Sequence, residues 1–200
     1  MKNSIIILAF FILGILLGHS SLLPQILLET ELSLYALYIL ILLVGISIGA
    51  DRKSWRVLLE AKFRILLVPA VTVIGTLTGC TVISVFLPNT NLQNSLAVGS
   101  GFGYYSLSSI IITQKVGETL GVVALLANII REIITLLFTP LFVKFFGKLA
   151  PISAGGATSM DTTLPIISRF SGHQYAIVAV VHGTILTILV PFLVSFILSF

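Results

Sequence analysis

Seven long apolar runs take up most of this chain, and water cannot be the solvent of a fold built from them. They lie at about 4–23, 32–50, 65–87, 95–113, 121–143, 152–168 and 174–198. Most are close to the 20 or so residues that a helix needs to cross about 30 Å of hydrocarbon. Only 9% of the residues are charged, against about 25% in soluble domains, too few to cover a water-facing surface. The chain therefore reads as an all-α polytopic membrane protein, a single transmembrane domain over 1–200 that is solvated by membrane lipid. The net charge of +4 implies no nucleic-acid partner, because the basic residues gather in short loops, where they set topology. Cys80 is the one cysteine. It lies in an apolar run and reads as a small packing residue, so no disulfide framework, no metal site and no cofactor is expected.

The start, MKNSIIILAFFILGILLGHSS, imitates a signal peptide, but no A-x-A-like cleavage site follows. The reading is a retained spanning helix, stopped by Pro24. After the second run comes DRKSWRVLLEAKFR, with Arg52, Lys53, Arg56, Lys62 and Arg64 against Asp51 and Glu60. Excess basic charge stays on the cytoplasmic side. That puts this loop inside and the neutral turn PNTN outside, with Trp55 suited to the interface. In a multi-pass protein of the cytoplasmic (inner) membrane, the N-terminus is then inside and the C-terminus outside.

Runs four and six depart from ordinary helices. SLAVGSGFGYYSLSSIIIT alternates Gly99, Gly101 and Gly103 among Ser100, Ser106, Ser108 and Ser109. Each interior glycine costs a helix about 1 kcal/mol relative to alanine, so a break is predicted. ISAGGATSMDTTLPIIS carries Gly155, Gly156, Asp161 and Pro165 and should break too. Broken backbone at membrane depth is tolerated only where it is buried in protein or lines a water-filled cavity. The candidate cavity wall is Gly99, Gly101, Gly103, Tyr104, Tyr105 and Ser106, with Gly155, Gly156, Thr158 and Thr162 facing them, and His182 in run seven. If every run crosses, Lys144 and Lys148 fall outside. If runs four and six dip in and return, both fall inside with Arg169. Those loops are weakly charged, and broken helices that do cross are common in transporters, so the reading leans slightly to full crossings.

Run five, with LLANIIREIITLLF at 125–138, places Arg131 beside Glu132 near the middle of the bilayer. Helical spacing collects Asn128, Arg131, Glu132, Thr135 and Thr139 on one broad face, which must point into the protein. A charge at the centre of a spanning helix costs roughly 2.5–3.5 kcal/mol. Arg131 and Glu132 diverge by roughly 100° and need not pair with each other. Asp161 is the second intramembrane acid. As a purely structural group it would cap a helix by accepting from the N–H of Thr163 or Leu164, and Arg131 and Glu132 would belong to a buried ion network. As a functional set, the two acids attract an ammonium group, and the positive ends of half-helices accept a carboxylate. A carboxyl held away from water favours its neutral form, so such a group can exchange a proton for a cationic solute. The substrate or proton-coupling candidates are Glu132, Asp161, Arg131 and Asn128.

At SGFGYYSLSS, NIIRE, GGATSMDTTLP and VHGTILTILVPFL, and earlier at LLVGISIGADR, the sequence resembles the LysO-type bacterial lysine exporter family. The resemblance covers essentially the whole chain. It implies export of L-lysine and of toxic lysine analogues, and it maps the family's intramembrane acids onto Glu132 and Asp161; the carboxyl chemistry makes H+ the expected coupling ion, with Na+ left open. The broken runs also resemble, more weakly, the bile-acid-symporter and cation–proton-antiporter group of folds. Two departures stand out. Longer family members carry an extra N-terminal hydrophobic module, to be replaced here by a separate small membrane protein or by a homodimer. Ile129 stands where some relatives have an acid.

His19 and His173 fall near predicted helix ends and read as interface residues. His182 is open between a proton relay and a packing residue, and Tyr104 and Tyr105 between substrate stacking and plain packing. Lys115 and Glu118 read as a solvated loop. An intramembrane protease would need Ser100 with His182, or a second facing Asp where the chain offers only helix-end Asp51; the chain is read as not an enzyme. A non-transporting subunit, or an antiporter of another cation or amino acid, are the remaining alternatives.

Overall fold

The computed structural model describes residues 65–87 and 90–200, with a few helical positions between 12 and 46. Runs one and two and the basic 51–64 loop lie outside the described residues, apart from those positions. Among the described residues every regular element is helical. We number them α1 (Leu67–Ser84), α2 (Leu92–Gly99), α3 (Tyr105–Lys115), α4 (Glu118–Phe146), α5 (Ala150–Gly155), α6 (Leu164–Ser171) and α7 (Ala176–Ile197). A 3-10 segment, Gly156–Met160, joins α5 to α6, and another, His173–Tyr175, leads into α7.

Three of these helices are long and apolar enough to cross a membrane: α1, α4 and α7 with its 3-10 lead-in. At 1.5 Å per residue α4 extends about 43 Å. Its Val122, Leu126, Ile130, Ile134, Phe138 and Leu141 are exposed on one side, the surface hydrocarbon would cover. Asn128, Thr135 and Thr139 are buried on the other, as the spacing predicts. The two threonines answer their own polarity by donating to carbonyls one turn back, Arg131 O at 2.9 Å and Thr135 O at 2.6 Å. In α7, His182, Leu186, Val190 and Val194 form a fully buried stripe at four-residue spacing.

The two broken runs do not cross. Near the bottom of the molecule, Ile65 at the start of α1, Leu136 of α4, Ile152 of α5, Ile167 of α6 and Ala176–Ala179 of α7 share one core cluster. At the top, Ala97 of α2, Ile112 of α3, Leu120 of α4 and Val194 of α7 share another. So α1 runs up, α4 down and α7 up, and each broken unit starts and finishes at one level. Both outer ends of α2–α3 hold the last turns of α7: Gln93 Nε2 donates to Ile197 O at 2.9 Å and Lys115 Nζ to Ser195 O at 3.3 Å. Both outer ends of α5–α6 meet at the bottom, where Lys148 Nζ lies 5.6 Å from the Tyr175 ring centroid. The lean towards full crossings therefore fails. Neither half is long enough to reach through the bilayer, and each returns as a hairpin, one from above and one from below.

The hairpin tips meet at mid-depth. Ala157 N donates to Phe102 O at 2.8 Å, a backbone bond from one tip to the other. Phe102 sits in the left-handed region at φ 44°, a conformation non-glycine residues adopt only when their surroundings hold it. Gly156 has φ 64°, and a Cβ there would collide with Phe102 O; no other residue type fits that contact. The helix between the hairpins anchors both tips. Asn128 Oδ1 accepts from Gly103 N at 2.7 Å, and its Nδ2 donates to Ala124 O at 2.8 Å and Val98 O at 3.3 Å. Arg131 donates through Nε to Ala154 O at 2.8 Å and through Nη2 to Ser153 O at 2.9 Å, with its guanidinium 5.8 Å from the Phe102 ring centroid.

Two outcomes follow from this arrangement. In a Cys80→Ala background, single variants Thr90→Cys and Glu118→Cys should react with an impermeant thiol reagent from the same membrane face, and Lys148→Cys from the opposite one; reaction of the first two from opposite faces would mean that α2–α3 crosses. Asn128→Ala strands the buried N–H of Gly103 and should cost about 1–3 kcal/mol of stability. Glu132→Gln, near in shape and outside the tip anchors, should cost little. Thermal unfolding of the detergent-solubilised protein checks both.

Candidate functional site

Glu132 is the middle residue of α4. Its neighbour Arg131 is occupied by the carbonyls of Ser153 and Ala154, so the two adjacent charges do not form a closed pair. Instead Glu132 lines a cavity of ≈ 240 Å³ together with Asp161, which stands beyond the 3-10 tip of the lower hairpin. Both acids that the sequence singled out thus face one space, from α4 and from the α5–α6 hairpin.

Asp161 is not the helix cap that its structural reading required. Its Oδ1 accepts from Thr162 N at 2.6 Å, while Leu164 N turns to the backbone oxygen of Asp161 at 3.1 Å. The Thr162 hydroxyl lies 3.4 Å from the same Oδ1 and its side chain also addresses the Glu132 carboxylate, so Thr162 stands between the two acids. The opposite wall comes from the upper hairpin: Gly103, Tyr104, Tyr105 and Ser106, where α3 begins. No side chain caps that helix start. Free N–H groups and the positive end of the α3 dipole therefore abut a cavity with two carboxyls. Thr158 lines the floor, and its own hydroxyl is held by Gly155 O at 2.9 Å.

The remaining sequence candidates are placed elsewhere. Gly155 packs under Gly103 and Thr163, Gly156 against Phe102, and Gly101 against Asn128 and Ser108; they allow close approach of backbones and do not line the acid cavity. Gly99 packs on Cys80 and lines a different space, a vestibule of ≈ 700 Å³ whose lining also takes in Asn128 and Arg131. His182 lies outside the cavity as well. It is fully buried, with Thr72 Oγ1 3.0 Å from Nε2 and Ser159 Oγ 3.1 Å from Nδ1. It joins α1 and α7 to the lower tip as a hydrogen-bonded packing residue. Ser100 donates to Leu96 O and is not among its recorded partners.

Three cavity residues escaped sequence reasoning, Ala157, Met160 and Thr187. Thr184 and Thr187 both place a hydroxyl near Met160 Sδ, at 3.6 and 3.9 Å. The signal was present: two threonines three apart in the largely apolar α7 mark a polar ridge. The vestibule was missed altogether, because Thr76, Cys80, Asn94 and Ser95 are scattered over two helices that only the fold brings together. Among the described residues no cluster of His, Cys, Asp or Glu has the makings of a metal site.

Comparison with known proteins agrees with the motifs. The family model described as "Lysine exporter LysO" matches residues 8–198. The lysine exporter LysO of Escherichia coli (strain K12) is 36% identical over 167 residues, covering 84% of this chain and 55% of that protein. A Haemophilus influenzae (strain ATCC 51907 / DSM 11121 / KW20 / Rd) protein named "Putative lysine exporter" is 36% identical over 168 residues, covering 84% of this chain and 85% of its own. The chain thus spans about half the length of the Escherichia coli relative it matches. No solved structure matches significantly. With a family model matched over nearly its full length, this chain belongs to the lysine exporter LysO family.

Proposed function

We propose that this chain is one transport domain of a secondary carrier that exports L-lysine, and toxic lysine analogues, across the cytoplasmic membrane in exchange for protons. The observation that carries this reading is that Glu132 and Asp161 line one cavity at mid-depth. Two half-buried carboxyls in a cavity that no Lys or Arg among the described residues lines suit a solute that brings its own positive charge. The uncapped start of α3 suits that solute's carboxylate. A volume of ≈ 240 Å³ lies below the 300–1,000 Å³ or so of drug-sized sites and fits a single amino acid. The two relatives carry lysine export in their names.

Exchange needs no added machinery. A carboxyl that cannot stay charged alone in the cavity holds either a proton or an ammonium group. Lysine arriving from the cytoplasm displaces the proton, and a proton arriving from outside displaces lysine. Tyr104 and Tyr105, in the cavity wall, would lie along the methylene chain.

Orientation follows from charge. Lys144, Lys148 and Arg169 all belong to the lower end, where α4 finishes and the α5–α6 hairpin is rooted. The rule that basic loops stay inside makes that end cytoplasmic and the end of α7 external. The basic 51–64 loop leads into the lower end of α1 and agrees.

Glu132→Gln and Asp161→Asn should each abolish resistance of a lysine-exporter-deficient host to a toxic lysine analogue, with both variants still present in the membrane at wild-type level. Normal resistance from either variant would show that its carboxyl is not needed.

A further inference from the structure

We infer that the vestibule between α1, α2 and α4 holds a carboxylate subsite at Arg131, distinct from the acid-lined cavity, that takes the carboxylate end of an aliphatic amino acid. The vestibule measures ≈ 700 Å³, well within the usual range of about 300–1,000 Å³ for small-molecule sites. Its lining runs from Thr90, Gly117 and Glu118 at the top to Asn128 and Arg131 near the middle of α4. The acids Glu132 and Asp161 line the other space. The tip contact between Phe102 and Ala157 and the α4 backbone stand between the two.

The case rests on an N–H inventory. A guanidinium carries five N–H groups and no acceptor. Arg131 gives one from Nε to Ala154 O and one from Nη2 to Ser153 O. Three remain, two of them on Nη1. Among the described residues the one sealed side-chain polar atom without a partner is Ser171 Oγ, so Nη1 is not closed off from open space. Arg131 borders two such spaces: the vestibule, and a shallower groove of ≈ 350 Å³ walled mostly by Ala127, Ile130 and Ile134. The groove offers one hydroxyl, that of Thr135, which already donates to Arg131 O, whereas the vestibule wall carries Thr76, Asn94, Ser95 and Asn128 as well as Arg131.

Among the described residues the one carboxylate in the vestibule wall is Glu118, about 20 Å from Arg131 along α4 at 1.5 Å per residue, too far to compensate its charge. A planar fork with a free edge matches a carboxylate in two parallel bonds. Leu87, Val98, Leu120 and Val123 supply apolar wall for a methylene chain. The choice of an amino acid as occupant rests on the proposed carrier function; the subsite does not.

The single cysteine is a built-in reporter, since Cys80 is half-buried in the vestibule wall. The wild-type protein in detergent is treated with N-ethylmaleimide and modification followed by intact mass. L-norleucine, which has the carboxylate but no side-chain ammonium, should slow labelling about tenfold at roughly nine times its dissociation constant. Cadaverine, which has the ammonium groups but no carboxylate, should leave the rate unchanged. The Glu132→Gln variant should show the same norleucine protection, even if the export reading fails. Equal rates with and without norleucine overturn the proposal, and so does protection by cadaverine as strong as that by norleucine. Loss of protection in Glu132→Gln would merge the two sites and overturn it. A thiol that reacts only after unfolding would overturn it too, because the vestibule would be closed to solutes.

Discussion

Interrupted backbone in the middle of a membrane has no water to turn to, and everything in this structure that is not a plain apolar helix answers that constraint. Two hairpins expose peptide groups at mid-depth. Part of the answer is reciprocal, through the bond from Ala157 N to Phe102 O. The rest comes from α4, where Asn128 takes the N–H of Gly103 and Arg131 takes the carbonyls of Ser153 and Ala154. Each anchor faces a different hairpin, so one helix braces both tips. Arg131 is thereby fixed by carbonyls, and the next residue, Glu132, is left facing the cavity.

That division shapes the chemistry. Had Arg131 closed on Glu132, the site would be an internal ion pair with nothing to attract. With the guanidinium held by backbone, two carboxyls face a common space whose other wall is an uncapped helix start. Negative groups on one side and free N–H groups on the other are complementary to a zwitterion with an extra ammonium. His182 reinforces the lower tip from behind, its two ring nitrogens within hydrogen-bond distance of Thr72 on α1 and Ser159 on the 3-10 turn. A bracing role of that kind needs no proton transfer.

Much of this was legible in the sequence. The alternating glycines of SGFG and the pair in AGGAT marked both breaks, because glycine is costly in a helix and few residues can take positive φ. The 3–4 spacing of Asn128, Arg131, Glu132 and Thr135 marked the buried face of α4. Direction of travel was not legible: a broken run of about 20 residues has the same composition whether it crosses or returns, and only contacts such as those of Gln93 and Lys115 with the end of α7 decide it. The work done by each polar residue was equally hidden. Periodicity grouped Asn128 and Arg131 with Glu132 on one face, but it could not show that the first two also hold the hairpin tips. The vestibule, assembled from α1, α2 and α4, has no local signature at all.

The most direct test is uptake of labelled L-lysine into inverted membrane vesicles containing this protein, with the pH gradient imposed or collapsed. A carrier that trades a proton for a cationic amino acid at Glu132 and Asp161 gives lysine accumulation that rises with an acid interior and disappears when the gradient is dissipated. Uptake that is absent, or that proceeds unchanged without the gradient, would contradict it.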